Sequence, residues 1–357
     1  MEDGKWVEGS IWFYAPNKGA PVFFAVAFAA SGLLHLWQSL HYKSWKLTGL
    51  YVFTSTIFAA GFIMREIGAF NYESIEIYIA SIVLVFVSPP LYELANYYIL
   101  GRILYYCPYY SPIHPGRVLT TFTGLSILVE ALNANGAVNT ANTTLPASTQ
   151  ATGRALLKAA LVLQLAIIVT FAGLAVTFHV RCRRAGVRNA GLYGALATLY
   201  GSTALLLVRT VFRTAEYFTI AQLNAGGVAD PNALSPLVRY EWFFYVFEAG
   251  LMLGNTVLLN ARHPRRYLPE TNRTYLARDG VTEVDTRAPG RERPWYVKVA
   301  DPFDLVGLAM GKDKETKFWE IDEREAASAG AGAGEGGGLA LVLKPSGYGS
   351  STRGEVV

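Results

Sequence analysis

The chain has 357 residues, of which 52% are hydrophobic and only 16% charged, and its mean hydropathy is +0.26. A soluble domain carries about 25% charged residues, so this composition excludes an ordinary soluble enzyme, a collagen-like rod and a disulfide-stapled secreted domain. The net charge of +4 does not indicate nucleic acid, because the basic residues cluster at the ends of apolar segments.

Residues 1–19 form a polar lead, and Glu2, Asp3 and Glu8 argue against a cleavable signal peptide there. Spanning a bilayer takes about 20 apolar residues, and seven stretches reach that length. They run over 20–40, 47–64, 75–100, 118–136, 156–180, 192–212 and 242–261, which makes 20–261 an all-α, seven-helix membrane domain. Between the first two lie Lys43 and Lys46, and Arg65-Glu66 closes the second. The third contains Pro89-Pro90, which removes two backbone donors and predicts a kink facing protein or water. Glu93, Asn96 and Arg102 follow it.

The fourth stretch carries Glu130 and Asn133, with Gln164 of the fifth as an expected hydrogen-bonding neighbour. Asn142-Thr143-Thr144, between them, is a glycosylation sequon. After the fifth come Arg181, Arg183, Arg184 and Arg188, and after the seventh Arg262, Arg265 and Arg266. These clusters place the N-terminus outside and the C-terminus in the cytoplasm, which leaves Asn142 on the external side. Cys107 and Cys182 are read as falling on opposite sides of that topology, as ordinary free thiols.

Ionisable groups inside a membrane cost about 2.5–3.5 kcal/mol each on insertion scales, so they mark the places to look for function. Arg209, Arg213 and Glu216 follow one another at spacings of four and three at the end of the sixth helix, on one face. Glu241, Tyr245 and Glu248 repeat that spacing in the seventh. The two stripes are expected to meet, carboxylates of one compensating arginines of the other, with Arg65 able to join. The alternative reading is an interhelical clamp without a substrate role.

The tail, 262–357, is polar, and Ala329–Gly338 reads as a flexible linker. Phe303, Leu305, Phe318 and Trp319 leave a short docking helix and a plain solvated tail as the alternatives there. His35, His41, His114, His179 and His263 lack metal-ligand spacing, and neither a phosphate-binding Gly-rich loop nor a GxSxG nucleophile motif occurs. No metal, cofactor or enzymatic activity is therefore expected.

Across 14–264 these landmarks resemble the fungal RTA-like family, the lipid-translocating exporters. The resemblance rests on Tyr14-Ala15-Pro16, on Gly61-Phe62-Ile63-Met64-Arg65, on Ser88-Pro89-Pro90-Leu91-Tyr92 with Gly101-Arg102, and on Gln164. It rests most on Arg209, Arg213, Glu216, Glu241, Tyr245 and Glu248, closing at His263-Pro264. The chain departs from the family in its fourth helix, where Ser126, Val129, Asn133 and Gly136 stand near a family pattern of Asp, Ser, Gln and Gly and Glu130 is added. It departs again at Glu248, where relatives often have Asp.

The resemblance implies a seven-helix bundle in the plasma membrane, or alternatively the vacuolar membrane. It implies translocation of sphingoid long-chain bases and phospholipids and resistance to toxic amphiphiles. Membrane lipids or amphiphiles would be the partners, with a cytoplasmic protein reached through the tail as a further one. A receptor or sensor for a lipid-like ligand is the alternative function. The candidate polar network comprises Arg65, Glu93, Glu130, Arg209, Arg213, Glu216, Glu241, Tyr245 and Glu248.

Overall fold

The computed structural model describes residues 10–12, 14–141, 145–226, 236–271 and 274–285, together with 294, 296–297, 317, 319–320 and 342–345. Asn142, the Ala329–Gly338 stretch, Phe303, Leu305 and Phe318 lie outside the described residues. Seven long helices carry the fold: α1 (Ala20–His41), α2 (Trp45–Phe70), α3 (Ile75–Tyr106), α4 (Pro115–Ala141), α5 (Ala147–Arg184), α6 (Ala190–Gly226) and α7 (241–261). Six are long and apolar enough to cross a membrane. The exception, α4, has the length at 27 residues but carries Glu130, Asn133, Asn135 and Asn139 in its second half.

The helices are inside out relative to a soluble bundle. On α1 the buried stripe is Phe24, Phe28, Ser31, His35 and Gln38, at helical spacing, so polar groups point inward. The opposite face presents Val26 at 63% exposure and Leu33 at 67%. Lipid solvates such a surface and water does not, and inward polarity is where a membrane protein places groups that need partners.

The chain divides into two compact units, 1–96 with 125–170 and 200–262, and 97–124 with 171–199 and 263–357. In the first, α1 packs along α2 and α7. The α4–α5 crossing is so close that a Cβ on Gly136 would lie 2.7 Å from Leu157 Cγ and 2.9 Å from the Gly153 carbonyl oxygen. Small residues at helix contacts permit that approach in a membrane. Prolines 89 and 90 sit inside a continuous α3. The seventh helix is not uniform, because Tyr245–Gly250 forms a π-helical turn between the α-helical segments Glu241–Phe244 and Leu251–Ala261.

In the second unit the segment after α7 folds back on helix ends. Strands β1 (Thr274–Leu276), β2 (Thr282–Asp285) and β3 (Val342–Pro345) form an antiparallel sheet in that order, with Tyr275 opposite Val284. Asp279 Oδ1 accepts from the Val281 and Thr282 amides, and Gly280 takes the left-handed φ of 69° that the turn needs. Trp319 is buried against Tyr275 and Val284, with Tyr105 and Tyr109 beside them. Tyr106 donates to Glu283 at 2.6 Å and Arg102 to the Pro269 carbonyl at 2.6 Å. Part of the tail is therefore docked.

Cys107 and Cys182 correct the expectation that they lie on opposite sides. Both are fully buried in this unit and their thiols are hydrogen-bonded to each other. The reason is topological: α3 and α5 are both odd-numbered spans, so both run in the same direction and end at the same face. That hydrogen bond, and then burial, hold the Cys107 thiol well above the ordinary thiol range. Because both thiols are buried and the Cys107 thiolate is disfavoured, N-ethylmaleimide at pH 7.5 is expected to modify neither cysteine in the folded protein and both after denaturation. Mass spectrometry of intact protein before and after denaturation checks this.

Candidate functional site

The site gathers in the first unit, at the end where α1 begins, α2 ends and α7 begins. Arg65, one turn before the end of α2, donates from Nη2 to Glu241 Oε1 at 2.7 Å. The same guanidinium reaches the Tyr14 hydroxyl at 3.3 Å and the Tyr245 hydroxyl at 3.4 Å, and lies 4.1 Å from the centre of the Phe244 ring. Glu241 also accepts from the Asn17 amide at 2.8 Å and from Tyr245 at 3.0 Å. Arg65 and Glu241 are buried. Burial, against the opposing pull of Arg65, raises the Tyr14 phenol to about 12, so it stays protonated at neutral pH and adds no charge.

Deeper along α7, Arg209 of α6 grips Glu248 through Nε at 2.9 and 3.0 Å and Nη2 at 2.6 Å. Glu248 is wholly buried. The π turn explains why the two carboxylates part company. It takes more residues per rotation than an α-helix, so Glu248 turns away from the face that Glu241 and Tyr245 show to α2 and meets α6.

Arg213 pairs with Glu216 one turn on, half-buried, with the guanidinium 4.0 Å from the Phe86 ring centre. Tyr78 lies within electrostatic reach of Arg65, Arg213 and Glu216, which ties this pair to the same end. Each of these three guanidinium groups is thus paired with a carboxylate.

The remaining expected residues are placed differently. Glu93 is buried and accepts from Gln164 Nε2 at 2.9 Å, so Gln164 bonds α3 and not the α4 group. Glu130 is exposed on α4, hydrogen-bonded to Asn133 and within electrostatic reach of Arg209. Sequence reasoning missed a second polar group on α7, Thr256 and Asn260, which meets Ser31 and His35 of α1. Its signal was the four-residue spacing of Ser31–His35 and of Thr256–Asn260. Among the described residues no group of three or more His, Cys, Asp or Glu side chains could hold a metal ion.

The model of the RTA1 like protein family matches residues 51–271, a range that includes Arg65, Arg209, Glu241 and Glu248. The chain belongs to the RTA1-like family. Among relatives of this family, a "Lipid-translocating exporter-like protein RTA1" of Leptosphaeria maculans is 42% identical over 320 residues, 87% of this chain. The aligned region spans 61% of that relative's own length. A protein of the same name from Ajellomyces capsulatus is 29% identical over 67% of this chain and 75% of its own. The "Probable lipid transporter atnI" of Emericella nidulans is 28% identical over 73% of this chain and 69% of its own. No solved structure matches the chain significantly. The protein is an integral membrane protein.

Proposed function

We propose that the protein translocates lipids or lipid-like amphiphiles, with the headgroup held by the Arg65–Glu241 site. The observation that carries this reading is a guanidinium and a carboxylate 2.7 Å apart, buried, and flanked by two tyrosine hydroxyls and an aromatic face at the end of a membrane helix bundle. An ammonium headgroup would replace Arg65 at Glu241, and a phosphate would replace Glu241 at Arg65 and take the planar fork bidentately. The apolar chain would stay against the exposed aliphatic faces of the helices. The names of the relatives support movement of lipid in preference to chemistry on lipid.

The arginines after α5 and α7 support a cytoplasmic C-terminus; in the plasma membrane, the location this reading takes, the site would face outward. Sphingoid bases and phospholipids are the substrates the site chemistry suits, and tolerance of toxic amphiphiles would follow from their export.

The test is a flux assay with purified full-length protein in liposomes, using a fluorescent sphingoid base and a fluorescent phospholipid. Movement of either lipid above protein-free liposomes supports the reading. Binding without movement overturns it and leaves the receptor alternative.

A further inference from the structure

Along α7 the polar groups continue past Glu248 to a second cluster. Thr256 Oγ1 lies 2.8 Å from Ser31 Oγ, 3.0 Å from His35 Nε2 and 3.3 Å from Ser55 Oγ. Ser55 in turn lies 3.4 Å from the Tyr92 hydroxyl, so α1, α2, α3 and α7 all contribute. Asn260 donates to Ser31 Oγ at 2.6 Å, and Gln38 donates to the Asn260 backbone carbonyl at 2.9 Å. These groups are hydroxyls, amides and one imidazole, and no carboxylate or guanidinium takes part in any of these bonds.

Two buried amide oxygens of this cluster are left without donors among the described residues. Gln38 gives its NH2 to a carbonyl, which can only accept, so its amide orientation is fixed and Oε1 is the free end. The Asn260 NH2 also points at the Ser31 carbonyl, which fixes that amide too. Among the described residues Gln38 Oε1 and Asn260 Oδ1 have no partner, although the two residues are only 4% and 6% exposed. The Tyr51 hydroxyl, on a wholly buried ring 5.2 Å from that of His35, is also without one. Unmet buried acceptors are costly, and a donor would satisfy the two amide oxygens; the Tyr51 hydroxyl can take either role.

This cluster is separate from the Arg65–Glu241 site. Fifteen residues of helix between Glu241 and Thr256 amount to roughly 22 Å. A wall of buried rings intervenes: Phe28 stacks on Phe58 at 4.5 Å and on Phe62 at 5.7 Å, and Phe24 bridges Phe62 and Tyr245 at 5.2 and 5.6 Å.

We infer that the Ser31–Thr256–Asn260 cluster is a second headgroup site, which takes an amino-alcohol headgroup through its ammonium and hydroxyl donors. Hydroxyl and amide oxygens solvate those donors. A phosphate finds no cation among the groups named. This inference rests on the transport reading: the headgroup would occupy the two polar stations in turn, with the phenylalanine wall between them.

Photolabelling with a sphingoid amine that carries a diazirine next to its headgroup tests the site without depending on flux. The full-length protein in lipid nanodiscs is irradiated, with and without excess unlabelled amine, and the adducts are mapped by mass spectrometry. Competed adducts are expected within 31–38 and 255–260. Ser31→Ala/Thr256→Val, which preserves volume, is expected to lower them at least about fivefold, the loss of one to two hydrogen bonds. Gln38→Leu provides a second, single-site variant if the double one does not fold, and is expected to lower them likewise. Adducts confined to lipid-facing side chains, labelling unchanged in the folded variants, or equal labelling by a phosphate-headgroup probe of the same chain length would each overturn the site. Competed labelling here without lipid movement in liposomes would sink the transport reading and leave the site standing.

Discussion

Glu248→Ala is expected to destabilise the protein by about 3–5 kcal/mol, while Arg209→Met/Glu248→Leu restores most of that loss. The single substitution leaves the Arg209 guanidinium, which makes three hydrogen bonds to Glu248 in a buried position, without its counter-charge. An uncompensated charge among helices has no water to turn to, so the bundle must open or deform around it. Replacing both partners removes the desolvation cost along with the attraction, and two flexible apolar side chains fill the space. Arg209→Lys is expected to fall between the two, because a point ammonium cannot reproduce the double contact of a planar fork. Thermal unfolding of detergent-solubilised protein reads the series. A double variant no more stable than Glu248→Ala would show that the pair contributes more than mutual neutralisation. Lipid flux through a stable double variant then separates the interhelical clamp from a headgroup ligand: unchanged flux makes the pair purely structural.

Charge removal at the other pair is expected to change selectivity. Glu241→Gln should lower movement of a sphingoid base about tenfold and leave or raise that of a phosphate-headgroup lipid, and Arg65→Gln should do the reverse. Glu241→Gln keeps side-chain size: its one oxygen can still accept from the Asn17 amide, and its NH2 then faces the Tyr245 hydroxyl, which can accept. What changes is the sign of the charge left at the site, and a charge-assisted hydrogen bond contributes about 1.5–3 kcal/mol, which is tenfold or more in rate or affinity. The readout is the ratio of the two fluxes in liposomes, because a partly unfolded population lowers both fluxes and leaves their ratio alone. Equal ratios in wild type and both variants would remove Arg65 and Glu241 from the headgroup site.

Both predictions start from residues that are legible in the chain, since arginine and glutamate are so costly in an apolar stretch that their presence alone marks them. The spacing of Arg213 and Glu216 also gives their pairing, which is local to one helix. Helical periodicity says which residues share a face, but not which helix that face meets. Sequence reasoning therefore sets Gln164 beside the wrong carboxylate, when it serves Glu93. The Ser31–Thr256–Asn260 cluster escapes notice for a different reason. Serine and threonine in a membrane helix can satisfy themselves on the carbonyl four residues back, as Thr54 and Thr56 do, so their presence carries little signal.

The sequence by itself determined an integral membrane protein of seven helices with buried arginines and carboxylates, because length, hydropathy and intramembrane charge are properties of single segments. Tertiary structure alone decided that Arg65 takes Glu241 while Arg209 takes Glu248, since a π turn at Tyr245–Gly250 re-aims one helix face. It alone brought Cys107 to Cys182 and docked Trp319 beside Tyr275. Partner choice depends on how helices pack against one another, and no single segment carries that information.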